Sequence, residues 1–471
     1  MNDQITVAPI ATASPIAESA SWGTELRATF NLAWPLVIAQ LAQNALNTTN
    51  VILLGWLGPG YLAAGILATA FYMPFMVAAT GVVGAVAPLV AQARGARDIK
   101  AVRRIVRQGF WAAILLSLLL VPLILQIRPI YLALGQDPVA TEMAEQFIQV
   151  IVWSLCPALG IVVLRSMLSA FDATRAILVI TVAGVGLNAL LAYTLIFGHF
   201  GFPRLELAGA ATATLITNFV MFALMLGYVL RHRRFKRFHV LLRFWKPDWP
   251  RFREIFRIGL PIGLTVLAEV GLFTAAALLM GRLGTDELAA HAIALQCASM
   301  AFMVPLGLGI AATVRVGLAY GRGDMEAVRK AGWTALVLGT VFMALSCALF
   351  LTGSPIIIAV FLDPSVPENA NAVGLAAAFL MIVGIFQLVD GAQVVAAHAL
   401  RGLSDTKIPM VVAIIGYWVI GLPVAYVLGF VANWRGVGIW LGLACGLAFV
   451  AVVLVIRFAM RERLGLVTTP A

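Results

Sequence analysis

Apolar residues run along this chain in long blocks rather than alternating with polar ones. Twelve blocks reach the ~20 residues that a helix needs to cross a hydrocarbon core. They lie at roughly 29–57, 62–92, 108–131, 144–169, 176–198 and 207–230, then at 257–281, 288–314, 331–352, 372–399, 408–430 and 435–457. Charged and turn-forming residues punctuate them. The pattern predicts an all-α polytopic membrane protein with twelve transmembrane helices.

The polar positions between blocks carry a second pattern. Cytoplasmic loops concentrate Lys and Arg, and here every second connection is basic. Arg94, Arg97, Lys100, Arg103, Arg104 and Arg107 join spans 2 and 3, a run from Arg231 to Arg257 joins spans 6 and 7, and Arg315, Arg322, Arg329 and Lys330 join spans 8 and 9. Of 32 basic residues, only Arg128, Arg204, Arg282 and Arg435 fall on the other side. Both termini are therefore expected in the cytoplasm. The expected organisation is a tail at 1–28, a six-helix bundle at 29–230, a basic linker at 231–256, a second bundle at 257–457 and a tail at 458–471. The linker's Trp245, Trp249 and phenylalanines read as a strip lying on anionic headgroups, leaving the bundles free to rock.

The chain also repeats itself. At an offset of 226, Pro35 falls on Pro261, Gly55, Leu57 and Gly58 on Gly281, Leu283 and Gly284, and Gly95, Asp98 and Ala101 on Gly321, Asp324 and Ala327; at 232, Leu168, Thr174 and Arg175 face Leu400, Thr406 and Lys407. Six spans is an even number, so both halves enter the membrane in the same orientation. A pseudo-twofold axis along the membrane normal follows, as in parallel-repeat transporters. The cavity is expected between the halves.

Composition narrows the class. With 62% hydrophobic and 11% charged residues, the chain has less than half the usual charge of a soluble domain, which excludes a soluble enzyme. The net charge of +11 reflects cytoplasmic loops and not nucleic-acid binding. Cys156, Cys297, Cys347 and Cys445 form no CxxC pair and read as small core residues. No HExxH, GxSxG or P-loop motif appears, so an intramembrane enzyme is not expected.

Of the 21 acidic residues, only Glu269 and Asp390 fall inside a span. Counted from Arg257 and Arg401, each lies roughly 16–18 Å deep at 1.5 Å per residue. Ionisable groups at such depth are rare and mark ion or substrate paths. Burial and mutual repulsion both favour a bound proton or monovalent cation, so Glu269 and Asp390 are the expected coupling-ion site and cation ligands. The first half lacks these acids. Span 1 carries instead an uncharged stripe of Gln40, Gln43, Asn44, Asn47, Thr48 and Asn50, which Asn188 joins; it reads equally as interhelical glue or cavity lining. Around the acids stand His291, Gln296, Phe302, Phe386, Gln387, Gln393 and His398. The expected cavity lining is Gln43, Asn47, Asn50, Asn188, His291, Gln296, Phe302, Phe386 and Gln393. Aromatic rings with buried negative charge suit lipophilic cations.

From about Trp34 to Arg457 the sequence resembles the MATE (multidrug and toxic compound extrusion) transporters of the NorM type. The resemblance rests on Leu267-Ala268-Glu269-Val270, Ala289-Ala290-His291, Arg315-Val316-Gly317, the run from Val389-Asp390-Gly391 to Ala396-Ala397, and Leu400-Arg401-Gly402. It implies an outward-opening V of two bundles that exports lipophilic cations against Na⁺ or H⁺. It also implies a cation site at Glu269 and Asp390. Two positions depart from the family: Asn50 stands where relatives commonly carry Asp, and Phe386 where some carry Tyr. The resulting expectation is a monomeric, multi-pass efflux protein of a bacterial-type cytoplasmic membrane, with no cofactor beyond the coupling ion. The alternative is a flippase for lipid-linked precursors, which calls for a more cationic cavity; no Lys or Arg is expected mid-span.

Overall fold

The computed structural model describes residues 21–199, 201–236, 238–240, 242, 244–363 and 366–467. The expected N-terminal tail up to residue 20, Arg237 and Arg243 of the linker, and residues 468–471 lie outside the described residues. Among the described residues the chain is helical, with no strand. Twelve long helices follow one another: α1 (Trp22–Leu57), α2 (Pro59–Gly95, interrupted at Ala85), α3 (Ile99–Ile124), α4 (Pro138–Ala170), α5 (Thr174–Phe197), α6 (Glu206–Arg231), α7 (Trp249–Leu283), α8 (Thr285–Gly321), α9 (Met325–Ala359), α10 (Ala370–Gly402), α11 (Lys407–Val431) and α12 (Arg435–Ala459). Eleven are both long and apolar enough to span a bilayer. The exception, α1, has the length at 36 residues, but its polar stripe lowers its hydropathy.

Several helices outrun their apolar blocks, because hydrocarbon sets the apolar length whereas caps set the helix length. α7 starts at Trp249, not 257, where Asp248 accepts the Arg251 amide at 3.4 Å and Pro250 occupies the first turn. The linker is correspondingly shorter than 231–256, and it does not lie loosely on the surface. Phe235 and Phe238 are buried against Phe171, and Phe244 stacks on Trp111 of α3 at 5.2 Å while accepting its indole N–H at 3.0 Å. Only the outer aromatics, Trp245 and Trp249, are exposed. Two of the four cysteines, Cys156 and Cys445, are likewise exposed rather than core residues, since an apolar run does not say which face meets lipid.

The internal repeat is written into the backbone. Asp98 caps α3 by accepting the Ala101 amide at 2.8 Å, and Asp324 caps α9 through Ala327 at 2.9 Å. Just before each cap the chain makes the same Schellman-type return, from the Asp98 amide to Ala93 at 3.0 Å and from the Asp324 amide to Ala319 at 3.1 Å. Left-handed residues recur in register, Arg97 with Gly323 and Asp172 with Ser404. Gly58 (φ 130°) and Gly284 (φ 145°) make the matching hairpins in a conformation that only glycine adopts without strain.

The halves meet along α1–α8, α2–α7 and α2–α8. Contact is closest at the end that carries the basic loops, where it is made by glycine. A Cβ on Gly81 would strike the backbone of Gly263, one on Gly259 the carbonyl of Val82, and one on Gly321 the carbonyl of Gln92. Polar ties reinforce this end. Buried Glu25 of α1 accepts both Nε (2.9 Å) and Nη2 of Arg315 on α8, and Gln92 donates to Gly402 O (2.8 Å) and Ser404 Oγ (2.9 Å).

Candidate functional site

The site lies in the C-terminal half and is built by α7, α10 and α11. α10 runs through the middle of that half, packed on α8, α9 and α12, so Asp390 is only 5% exposed. Glu269 reaches in from α7 and is half-buried. The two carboxylates lie within electrostatic reach of each other. Gln393, one turn along α10, lies within reach of Glu269 and of Tyr417.

Tyr417 is fully buried and interacts with both acids, yet nothing in the apolar pattern of span 11 singles it out. It sits in a π-helical turn, Ile415–Gly421. The wider turn shifts the side-chain register, so a face drawn at 3.6 residues per turn misplaces it. Gly416 and Gly421 let this turn press onto Gly446 of α12. Trp418 donates its indole N–H to Ala268 O at 3.1 Å, fastening α11 to the turn that carries Glu269.

Oxygens without hydrogen-bond partners gather here: Asp390 Oδ1, Gln393 Oε1 and the Tyr417 hydroxyl. A buried polar group left unpaired costs about 1–3 kcal/mol, and such groups call for a proton, an ion or a water to complete their shell. An all-oxygen set suits hard cations rather than transition metals. Among the described residues no group of three or more His, Cys, Asp and Glu is placed to hold a metal.

A cavity of about 330 Å³ separates the halves near their closed end. Its wall includes Gln40, Arg165 and Ser166 from the N-terminal half, and Ile262, His398 and Arg401 from the C-terminal half. None of the nine residues expected to line a cavity is on this wall. Gln393 lines a neighbouring crevice with Arg401 and Tyr417. His291 and Phe386 are buried against Trp440, with ring centroids at 5.2 and 5.7 Å, because α8 and α10 turn these faces toward α12. Gln296 and Phe302 are half-buried on α8. Neither Arg165, which stands a little before the last turn of α4, nor Arg401, in the last turn of α10, is mid-span, yet both line the cavity.

In the N-terminal half, Asn50 and Asn188 converge on one hydroxyl, both donating to Thr214 Oγ1, at 3.3 and 3.4 Å. Thr214 in turn donates to Ala210 O at 3.1 Å. Each asparagine keeps an unpartnered buried Oδ1. Gln43 is half-buried and Asn47 exposed on the same helix, outside this cluster. Thr214 was not foreseen, since a lone threonine in an apolar span has no distinguishing signal.

A chain of two six-helix halves, with acids inside one half and a cavity between the two, is a polytopic membrane transporter and not an enzyme. The MatE family pattern matches residues 35–194 and 261–427, two segments that start 226 residues apart. The chain is 46% identical over 445 residues to a probable multidrug resistance protein NorM of Brucella suis biovar 1 (strain 1330), covering 94% of each. A protein of the same description from Mesorhizobium japonicum is 44% identical over 446 residues, covering 94% of this chain and 96% of the relative. The fold matches that of a MATE protein solved in complex with MaL6 with a TM-score of 0.85 at 22% identity, over 93% of this chain and 97% of that one. The chain belongs to the MATE family, among its NorM-type multidrug efflux transporters.

Proposed function

We propose that this transporter exports lipophilic cations in exchange for Na⁺ or H⁺, with Glu269 and Asp390 as the coupling-ion site. The observation that carries the reading is the cluster of unpartnered oxygens around two interior carboxylates. With the pair empty, its negative charge attracts a drug cation in a medium of low dielectric. A bound proton or Na⁺ neutralises the pair, and the cation loses its counter-charge. The sign of this competition is that of antiport. Alternating access then requires the two halves to rock about the glycine-lined contact, with the basic end on the cytoplasmic side of a bacterial-type inner membrane.

Everted vesicles bathed in a fluorescent organic cation, which an exporter carries into the lumen, test this. Transport is expected under an imposed Na⁺ gradient or pH gradient, each applied alone, and it should survive ATP depletion while the gradient is held. Strict ATP dependence overturns the mechanism. The flippase reading gains from Arg165 and Arg401 on the cavity wall; it requires that a lipid-linked pyrophosphate, and not the cation, be the species moved in the same vesicles.

The Asn50–Thr214–Asn188 cluster is assigned to helix association. Asn50→Ala removes one hydrogen bond and should cost about 1 kcal/mol of stability, with cation efflux within a few fold of the unmodified chain. Complete loss of efflux in properly inserted protein would instead place the ion path in the N-terminal half.

A further inference from the structure

The cavity between the halves has a polarity that the coupling site does not explain. Most of its wall is apolar, including Leu36, Val77, Val266 and Leu306, and among the described residues no acidic one lines it. Two guanidinium groups do, Arg165 from one half and Arg401 from the other. Neither makes an ion pair with a carboxylate among the described residues. Arg165 donates to the neutral amide oxygen of Gln40 at 2.5 Å. Arg401 contacts Nε2 of His398 at 3.0 Å, and His398 Nδ1 lies 2.8 Å from Val394 O. A carbonyl can only accept, so Nδ1 carries the proton and Nε2 is the neutral acceptor for Arg401. Glu269 acts on Arg401 only through space.

Each guanidinium thus uses one of five donors on an uncharged partner, and its charge is left without a contact counter-charge. Inside a membrane protein that arrangement is costly unless a ligand relieves it. A structural role would be served by an amide or hydroxyl, which would bond Gln40 or His398 without the charge. The planar fork of Arg fits a carboxylate or phosphate oxygen pair, and a cavity of this size falls within the range of small-molecule sites.

We infer that Arg165 and Arg401 form an anion-binding subsite on the floor of the interlobe cavity, taking the carboxylate of an amphiphile that also bears a cationic group. The inference rests on the drug-export reading and deepens it. The cation of such a zwitterion is drawn to the Glu269–Asp390 side, and its carboxylate is held by the two arginines. Cargo is then selected by both charges.

The test uses a xanthene dye carrying a free carboxyphenyl group and its methyl ester, which keeps the cation and loses the anion. Both are titrated by fluorescence polarisation against the purified full chain in lipid nanodiscs. The unmodified protein should bind the acid about tenfold or more tighter than the ester, the worth of a charge-assisted bidentate contact. Arg165→Gln and Arg401→Gln should each bring the acid-to-ester ratio of Kd values close to one, and Arg165→Lys should keep part of the preference. A substitution that merely loosened the helices would weaken both dyes and leave the ratio standing, which overturns the subsite. An ester bound as tightly as the acid by the unmodified chain also overturns it, without recourse to any variant. Failure of both dyes to bind overturns the drug-export reading and the subsite with it.

Discussion

Asp390→Asn should reduce ion-driven cation efflux to background while leaving the protein inserted at its normal level. The amide has the volume of the carboxylate, so the packing of α10 against α8, α9 and α12 survives. What disappears is the charge. An amide cannot take up a proton at physiological pH, and it is a far weaker ligand for a hard cation. Removing one charged partner from a buried set costs about 3–5 kcal/mol, which corresponds to at least a hundredfold in ion affinity. Glu269→Gln should do the same. The paired measurement is dye efflux alongside the amount of protein in the membrane fraction. Normal pumping by either variant would remove both acids from the coupling role. Tyr417→Phe separates the acids from their surroundings: it deletes one unpartnered hydroxyl and is expected to shift the ion concentration for half-maximal efflux without abolishing it.

The second large effect belongs to the closed end. Gly259→Val would place a branched side chain against the carbonyl of Val82, where even a Cβ has no room. The obstacle is backbone, so no rotamer change relieves it, and overpacking of this kind costs about 1–3 kcal/mol. The strain falls on a contact between the halves rather than inside either one. It should therefore shift the conformational balance away from the state closed at the basic end by a factor of about five to 150, leaving each half folded. Spin labels at Lys100→Cys and Arg322→Cys, in a background without the native cysteines, report the separation directly. A longer or broader distance distribution is expected. An unchanged distribution would mean that the glycine contact does not hold this end. Gly186→Val in α5, where a Cβ meets nothing within 4 Å, is the matched control.

Much of this architecture is legible in the amino-acid order, for identifiable reasons. Spans are legible because hydrocarbon demands a minimum apolar length, and the repeat because a turn such as Arg97–Asp98 needs the same cap and the same left-handed residue in both copies. Glu269 and Asp390 stand out because a carboxylate in an apolar run has few explanations. Helix ends are less legible: charges on the first turns of α7 do not disturb a helix that has left the hydrocarbon. Tyr417 is hidden because a π-turn changes which face it occupies. Arg165 and Arg401 are hidden because proximity to a loop says where the Cα lies, not where a long side chain points.

The docked linker has a mechanical consequence. Because Phe244 is held against Trp111 and α7 begins at Trp249, the only slack in the covalent connection is the short stretch between those two residues. Fully extended, five residue steps reach roughly 17 Å. The strap therefore works as a check-rein: it sets a ceiling on how far the basic ends can part, however strongly ion or cargo binding drives them.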